Sequence, residues 1–382
     1  MYRYYIILLL AISSTLNAQN VSFVYDNKNR LIEALLSDST IYRYSYDANG
    51  NLKDKILVKG CKDLQEPNDS IPIALNLFSS ELGNSGRDTS IKSYINSSYE
   101  QDWYRINNSR QSGRLSISLS KLPSNYNIEL YDSSGICQQC YIAGSYEANQ
   151  INENIIFNYN SSSTYNPPFY LKVYPSDGTQ FSKCEPYELN IHWKPGYPVS
   201  IDAFIEGFYS GNNLMKSALD TSQSGIICDS VRLELRNTLS PFSISHVDTS
   251  TINIFGGCKF IFPLSTVGHS FYLVFRHRNT IETWSSTPIT FDGEAAYYSF
   301  TDALNKSYGD NLIDLGDGNF GLISGDVNQD GTINEFDITE LESLLQLFSV
   351  GYLQPDLTGD WIIEAADFSL IENNLGKFIH RP

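Results

Sequence analysis

The stretch GDVNQDGTINEFDITELESLL, Gly325 to Leu345, spaces oxygen-bearing side chains around a single glycine. With Asp326 as position 1, Asp326, Asn328, Asp330, Asn334 and Asp337 fall at positions 1, 3, 5, 9 and 12. Gly331 holds position 6, where a calcium loop turns sharply, and Thr332 at position 7 would offer its backbone carbonyl. A hard divalent cation takes roughly six to eight oxygens at such spacing, so the stretch predicts a Ca2+ site. Ile333, at position 8, is placed to bridge to a partner loop.

A second loop begins 30 residues later. Asp356, Thr358, Asp360, Glu364 and Asp367 repeat the ligand positions, Ile362 would give the carbonyl at position 7, and Ile363 matches Ile333. Trp361 replaces the glycine at position 6, and a bulky residue in a left-handed turn costs roughly 1–2 kcal/mol. The second site is therefore expected to bind calcium more weakly than the first, with Gly359 absorbing part of the strain. One or two ions are expected in all. Each loop leads into a helical pattern: Ile338, Leu341, Leu345 and Phe348 after the first, Phe368, Ile371 and Leu375 after the second. Gly376 is placed to end the second helix. The glycine-rich LIDLGDGNFGLISG before the first loop predicts no entering helix.

Loop then helix, twice, with Asp at position 12, resembles a dockerin, a paired F-hand calcium module, here over residues 323–382. The resemblance implies docking to a cohesin-like domain through loop positions 10 and 11. Those are Glu335-Phe336 and Ala365-Ala366, without the Ser/Thr pair of many cellulosomal dockerins.

Upstream the periodicity changes to two. GRLSISLSKLP alternates Leu115, Ile117 and Leu119, and NYNIELYDSSG alternates Tyr126, Ile128 and Leu130 before a turn at Ser134-Gly135. Residues 61–194 thus predict a β-sandwich. EPNDSIPIA (66–74), QDWYRI (101–106), NYNIELYDSSG, FYLKVYPSDG and YELNIHW resemble the bacterial pre-peptidase C-terminal (PPC) domain, which implies an accessory module beside secreted hydrolases. Pro195-Gly196 marks a boundary, and residues 195–322 form a second β-rich domain. There Val199, Ile201, Ala203 and Ile205, then Val231, Leu233 and Leu235, alternate, and one long strand ends in Arg276-His277-Arg278. FIEGFYSGNNLM, VRLELRN and VFRHRNTIETWSS resemble a region preceding dockerin-like ends in secreted, haemagglutinin-like proteins of Bacteroidetes-type bacteria. Residues 19–60 carry YDNKNRLIE and YDANGNLKD, 21 residues apart, which resemble the YD (Rhs-type) repeat and predict a short β-ribbon.

Residues 1–18 read as a signal peptide: Arg3, then the apolar run Ile6–Ile12, then Ala18 before Gln19. No later stretch is apolar and long enough for a transmembrane helix. A secreted or cell-surface location follows, where the six cysteines are expected to form disulfides. About 15 pairings are open to six cysteines, and placement along the chain suggests Cys61 with Cys184, Cys137 with Cys140, and Cys228 with Cys258 as local candidates. Cys137-Gln-Gln-Cys140 lacks a surrounding βαβ pattern, which disfavours a redox role.

The 382 residues carry a formal net charge of −17, which repels phosphates and excludes a nucleic-acid partner. No HExxH, GxSxG or P-loop motif occurs, and His192, His246, His269, His277 and His380 lie without ligand spacing. His277 is expected at the surface. The expectation is a mostly β, multidomain, non-catalytic protein: two β-sandwich-like domains plus a small α-helical calcium module. Its first expected role is adhesion to extracellular protein or glycan; the alternative is an accessory or scaffolding part docking to a secreted hydrolase or cohesin-like partner.

Overall fold

A computed structural model describes residues 22–382 apart from 27, 36–40, 59–62, 98, 109, 134–139, 162–163, 183–184, 220–225 and 346–349. The expected signal peptide, the Ser134-Gly135 turn, Phe348, Cys61, Cys137 and Cys184 lie outside the described residues. The chain is mostly β, in several sheets, with two short helices near its C-terminus.

The N-terminal ribbon is a four-stranded antiparallel meander: Ser22–Tyr25, Leu31–Leu35, Ile41–Tyr46 and Leu52–Val58. The repeated Asp does the same work in each copy. Asp26 accepts from the Lys28 and Arg30 amides, each at 2.9 Å, and Asp47 from those of Asn49 and Asn51, at 2.9 and 2.8 Å. Asn29 and Gly50, at matching places in the two copies, both take positive φ, a conformation that Gly adopts freely and Asn more readily than most residues.

The next unit is a two-sheet sandwich. One sheet orders Tyr141–Ser145, Tyr126–Tyr131, Phe169–Pro175, Asp102–Ile106 and Leu75–Asn76. The other orders Glu153–Tyr159, Gly113–Ser120, Tyr187–Pro195 and Arg87–Ser93. The alternation read in sequence faces inward: Leu115, Ile117, Leu119, Tyr126, Ile128 and Leu130 are all buried in one core.

The chain leaves this sandwich at Pro195 and enters a separate sheet at Tyr197. That sheet has eight strands along the path Thr283–Trp284, Ser270–Arg276, Ile227–Arg236, Ile244–Asn253, Gly257–Phe262, Tyr197–Asp202 and Ala296–Ser299, with Ile289–Thr290 paired to the second of these. Arg114 joins the two units by a forked pair to Asp248, at 2.7 and 2.6 Å.

Cys228 and Cys258 are free and buried rather than paired. The ladder gives the reason. Asp229 pairs with Ile252 and Ile252 with Cys258, so a whole strand separates the two cysteines. Two strand spacings are about 9–10 Å, beyond the roughly 7 Å Cα limit for a disulfide. His277 is also buried, not at the surface, because its ring meets Asp229 across the sheet at 3.0 Å.

Two helices, α1 (Glu335–Leu345) and α2 (Ala365–Asn374), close the chain. Leu341, Ile371, Ile333 and Ile363 fill one small core together with Val327, Leu357 and Ile323. Ile281, a residue of the eight-stranded unit's loop, completes that core. Leu375 is exposed, contrary to the helical pattern, since α2 ends at Asn374 and the buried Asn374 side chain turns to the neighbouring unit instead.

Candidate metal centre

The two acidic loops fold onto one hydrogen-bond frame. At position 1, Asp326 accepts from the Gly331 amide at 3.2 Å and Asp356 from the Trp361 amide at 3.2 Å. At position 12, one oxygen of Asp337 accepts from the Val327 and Asn328 amides, and one of Asp367 from those of Leu357 and Thr358. Their other oxygens accept from the Asn334 and Glu364 amides, both at 2.9 Å. At position 5, Asp330 takes the Thr332 amide at 2.9 Å and Asp360 that of Ile362 at 3.0 Å. Residues 30 apart therefore occupy equivalent places, as the register read in sequence requires.

Backbone strain is divided differently between the loops. Positions 4 and 6 are left-handed in both: Gln329 and Gly331 have φ of 57° and 91°, Gly359 and Trp361 both 71°. Each loop thus has one glycine, at position 6 in the first and position 4 in the second. Trp361 does adopt the turn, and its indole N–H donates to the Ala218 carbonyl at 2.8 Å, a contact that offsets the strain.

Ile333 does not pair with Ile363 through the backbone. Its amide donates to Lys377 O and its carbonyl accepts from Gly376, both at 2.9 Å. The second loop is closed in the same manner by the segment after α1, where the Gly351 amide donates to Trp361 O at 2.8 Å. Each loop is thus closed by the segment that follows the opposite helix.

The electrostatics suit a cation. Burial, aided by the charges of Asp337 and Asp330, pushes the Asp326 carboxyl up to about 6. Burial also raises Asp356, against the opposing charge of Arg278. Asp326, Asp337, Asp356 and Asp367 are buried, and the buried Thr358 hydroxyl at position 3 has no hydrogen-bond partner among the described residues. Buried like charges and an orphaned oxygen disfavour the ion-free loop, and a divalent cation would satisfy both. The residues present fit that group: Asp326, Asn328, Asp330, Asn334 and Asp337 with the Thr332 carbonyl, and Asp356, Thr358, Asp360, Glu364 and Asp367 with the Ile362 carbonyl.

Sequence reading missed a second acidic group, in the sandwich. Asp63, Glu66, Glu100 and Asp102 bring one carboxylate oxygen each within 4.8 Å of one another. Burial, with the charges of Glu66 and Asp69, pushes Glu100 up to about 7. One Asp102 oxygen and both amide atoms of the buried Asn68 lack partners among the described residues. This all-oxygen set could also hold a hard divalent cation. The signal lay in EPND and EQDW, segments some 30 residues apart whose meeting only the sheet reveals.

Comparison with known proteins gives the following. No curated protein matches the chain. Among solved structures it is similar to the pre-peptidase C-terminal domain of a collagenase from Bacillus anthracis, at 20% identity and a TM-score of 0.21, over 28% of this chain and 89% of that one. It also resembles a β-glucuronidase of Bifidobacterium dentium complexed with coumarin-3-O-glucuronide, at 9% identity and a TM-score of 0.15, over 66% of this chain and 45% of that one. A glycosyl hydrolase family 2 member from Bacteroides cellulosilyticus follows, at 11% identity and a TM-score of 0.16, over 81% and 41%. The chain spans less than half of each glycosidase. Scores this low leave the fold to be read from the strands themselves. The two loops and their helices are another matter, for residues 324–376 match the dockerin type I domain.

Proposed function

We propose that this is an exported, non-catalytic, calcium-dependent docking protein, which joins a cohesin-like domain of an extracellular partner through residues 324–376. The dockerin match carries this reading. The geometry supports it, because loop positions 10 and 11 of both loops are exposed: Phe336 is 71% exposed, and Glu335, Ala365 and Ala366 also face solvent. Calcium, one ion per loop, would order the exposed helix starts and so present that surface. The match favours docking over direct adhesion, the role that the sequence put first. Adhesion to protein or glycan stays as the second reading, supported by the apolar side chains exposed on the ribbon, among them Phe23, Tyr25, Ile56 and Leu57. Export rests on the signal-peptide reading of residues 1–18, and the YD-repeat and haemagglutinin-like resemblances rest on the motifs quoted above.

The test is capture by the immobilised full-length chain from culture supernatant, in calcium and in chelator. A cohesin-bearing partner, alone or joined to a secreted hydrolase, held in calcium and released by chelator is expected. Binding to glycan or cell surface that survives chelation would favour adhesion, and no calcium-dependent partner at all would overturn docking.

A further inference from the structure

The second loop is clasped by the eight-stranded unit, and the first is not clasped in the same way. Arg278 reaches the Leu353 carbonyl just before the second loop, and its guanidinium lies 3.8 Å from the Asp356 carboxylate. Arg278 is itself fixed: Asp229 accepts from it at 3.0 Å, and Tyr352 lies under it at 4.5 Å. Asn279 donates its side-chain amide to the Asp356 carbonyl at 3.0 Å, and Trp361 is tied to Ala218. The first loop has ties to Asn279 and Thr280, through Gly325 and Gln329, but they are neutral. Among the described residues no ion pair reaches Asp326, Asp330 or Asp337.

From this asymmetry we propose that Arg278, backed by Asn279 and the Trp361 anchor, is a positioning residue that holds the second loop in its ion-ready shape when no ion is bound. The inference rests on the calcium reading of the two loops. Its physical basis is charge and pre-organisation. A fixed guanidinium beside Asp356 stands in for part of the missing cation, and the two anchors hold positions 1 and 6 whatever the ion does. In the first loop the carboxylates face one another with no such partner, so its shape depends on the ion itself. The strained loop that sequence reading ranks as the weaker site is therefore the more persistent one in chelator.

Amide hydrogen exchange on the full-length chain decides the matter. In chelator, residues 326–337 should exchange about tenfold faster or more than in calcium, while 356–367 stay within about threefold. Arg278→Ala and Trp361→Phe should each make 356–367 exchange as freely as 326–337 in chelator, and calcium should restore protection. Protection of the strand Ile227–Arg236 reports that each variant is folded. Should Arg278→Ala expose that strand, Trp361→Phe decides alone, since it keeps an aromatic ring at the position while losing the indole N–H that donates to Ala218. Equal loss of protection in both loops of the natural chain would overturn the inference while leaving the calcium reading intact, as would variants that leave 356–367 protected. No response of 326–337 to calcium would take down the calcium reading and the inference with it.

Discussion

Asp326 shows what single residues contribute. Its carboxyl is pushed by burial to about 6, from an ordinary value of 3.8. An acid whose folded pKa is raised binds its proton more tightly when folded. The ion-free module then keeps this contribution below about pH 4 and loses it as pH rises through about 6. Thermal melts in chelator should show the module less stable at pH 7.5 than at pH 5. Calcium should reverse the trend, because the cation needs the ionised form. Flat melting temperatures across that range in chelator would count against a buried, crowded Asp326. Asp330→Ala, which removes a ligand candidate beside the turn, should abolish tight calcium binding at the first loop while calorimetry still detects the second. Cys228 and Cys258 give a sharper check. Burial pushes both thiols above their usual range, and the free pair should resist thiol reagents until denaturant is added. The sequence suggested a bond between them because cysteine parity carries no register. Only the intervening strand shows that they cannot meet.

Among the elements, what is local in sequence was legible and what depends on a distant partner was not. Gly113–Ser120 buries every second residue because a strand's period is two, and that period is written in the sequence itself. The candidate ligand positions are equally local, since a loop of a dozen residues sets its own spacing. Ile333 was read as a bridge to the partner loop, yet its backbone partner is the Gly376–Lys377 tail, which no periodicity announces. Likewise Leu375 fits a helical stripe on paper, but Asn374 ends the helix by reaching Glu206 at 2.7 Å and Ser324 O at 2.9 Å. The shared core makes a prediction at this scale. Leu341 is fully buried in a cluster of few residues, so Leu341→Ala should cost about 2–5 kcal/mol of the module's stability, with denaturant melts as the measure. Phe336→Ala on the same helix should leave stability nearly unchanged, because that ring is exposed, while weakening the proposed docking.

Across the whole molecule, the C-terminal module is not a bead on a string. Ile281 lies in its core, Glu206 receives Asn374 and the Ser324 amide, and Arg381 in the tail reaches Glu282 at 3.2 Å. Gly207 marks the closest approach. A Cβ there would meet the Leu357 carbonyl oxygen at 2.0 Å and a Leu370 methyl at 3.0 Å. Backbone cannot yield as a flexible side-chain tip can, so Gly207→Ala should push the module off the eight-stranded unit without touching a calcium-ligand candidate. The expected result is a lower melting temperature for the C-terminal transition and faster protease cleavage near Ile323. The sandwich transition should stay in place, since its core is separate. A Gly207→Ala chain that melts and resists protease like the natural one would mean that the two units touch without supporting each other. The persistence of the second loop would then have to come from the loop alone.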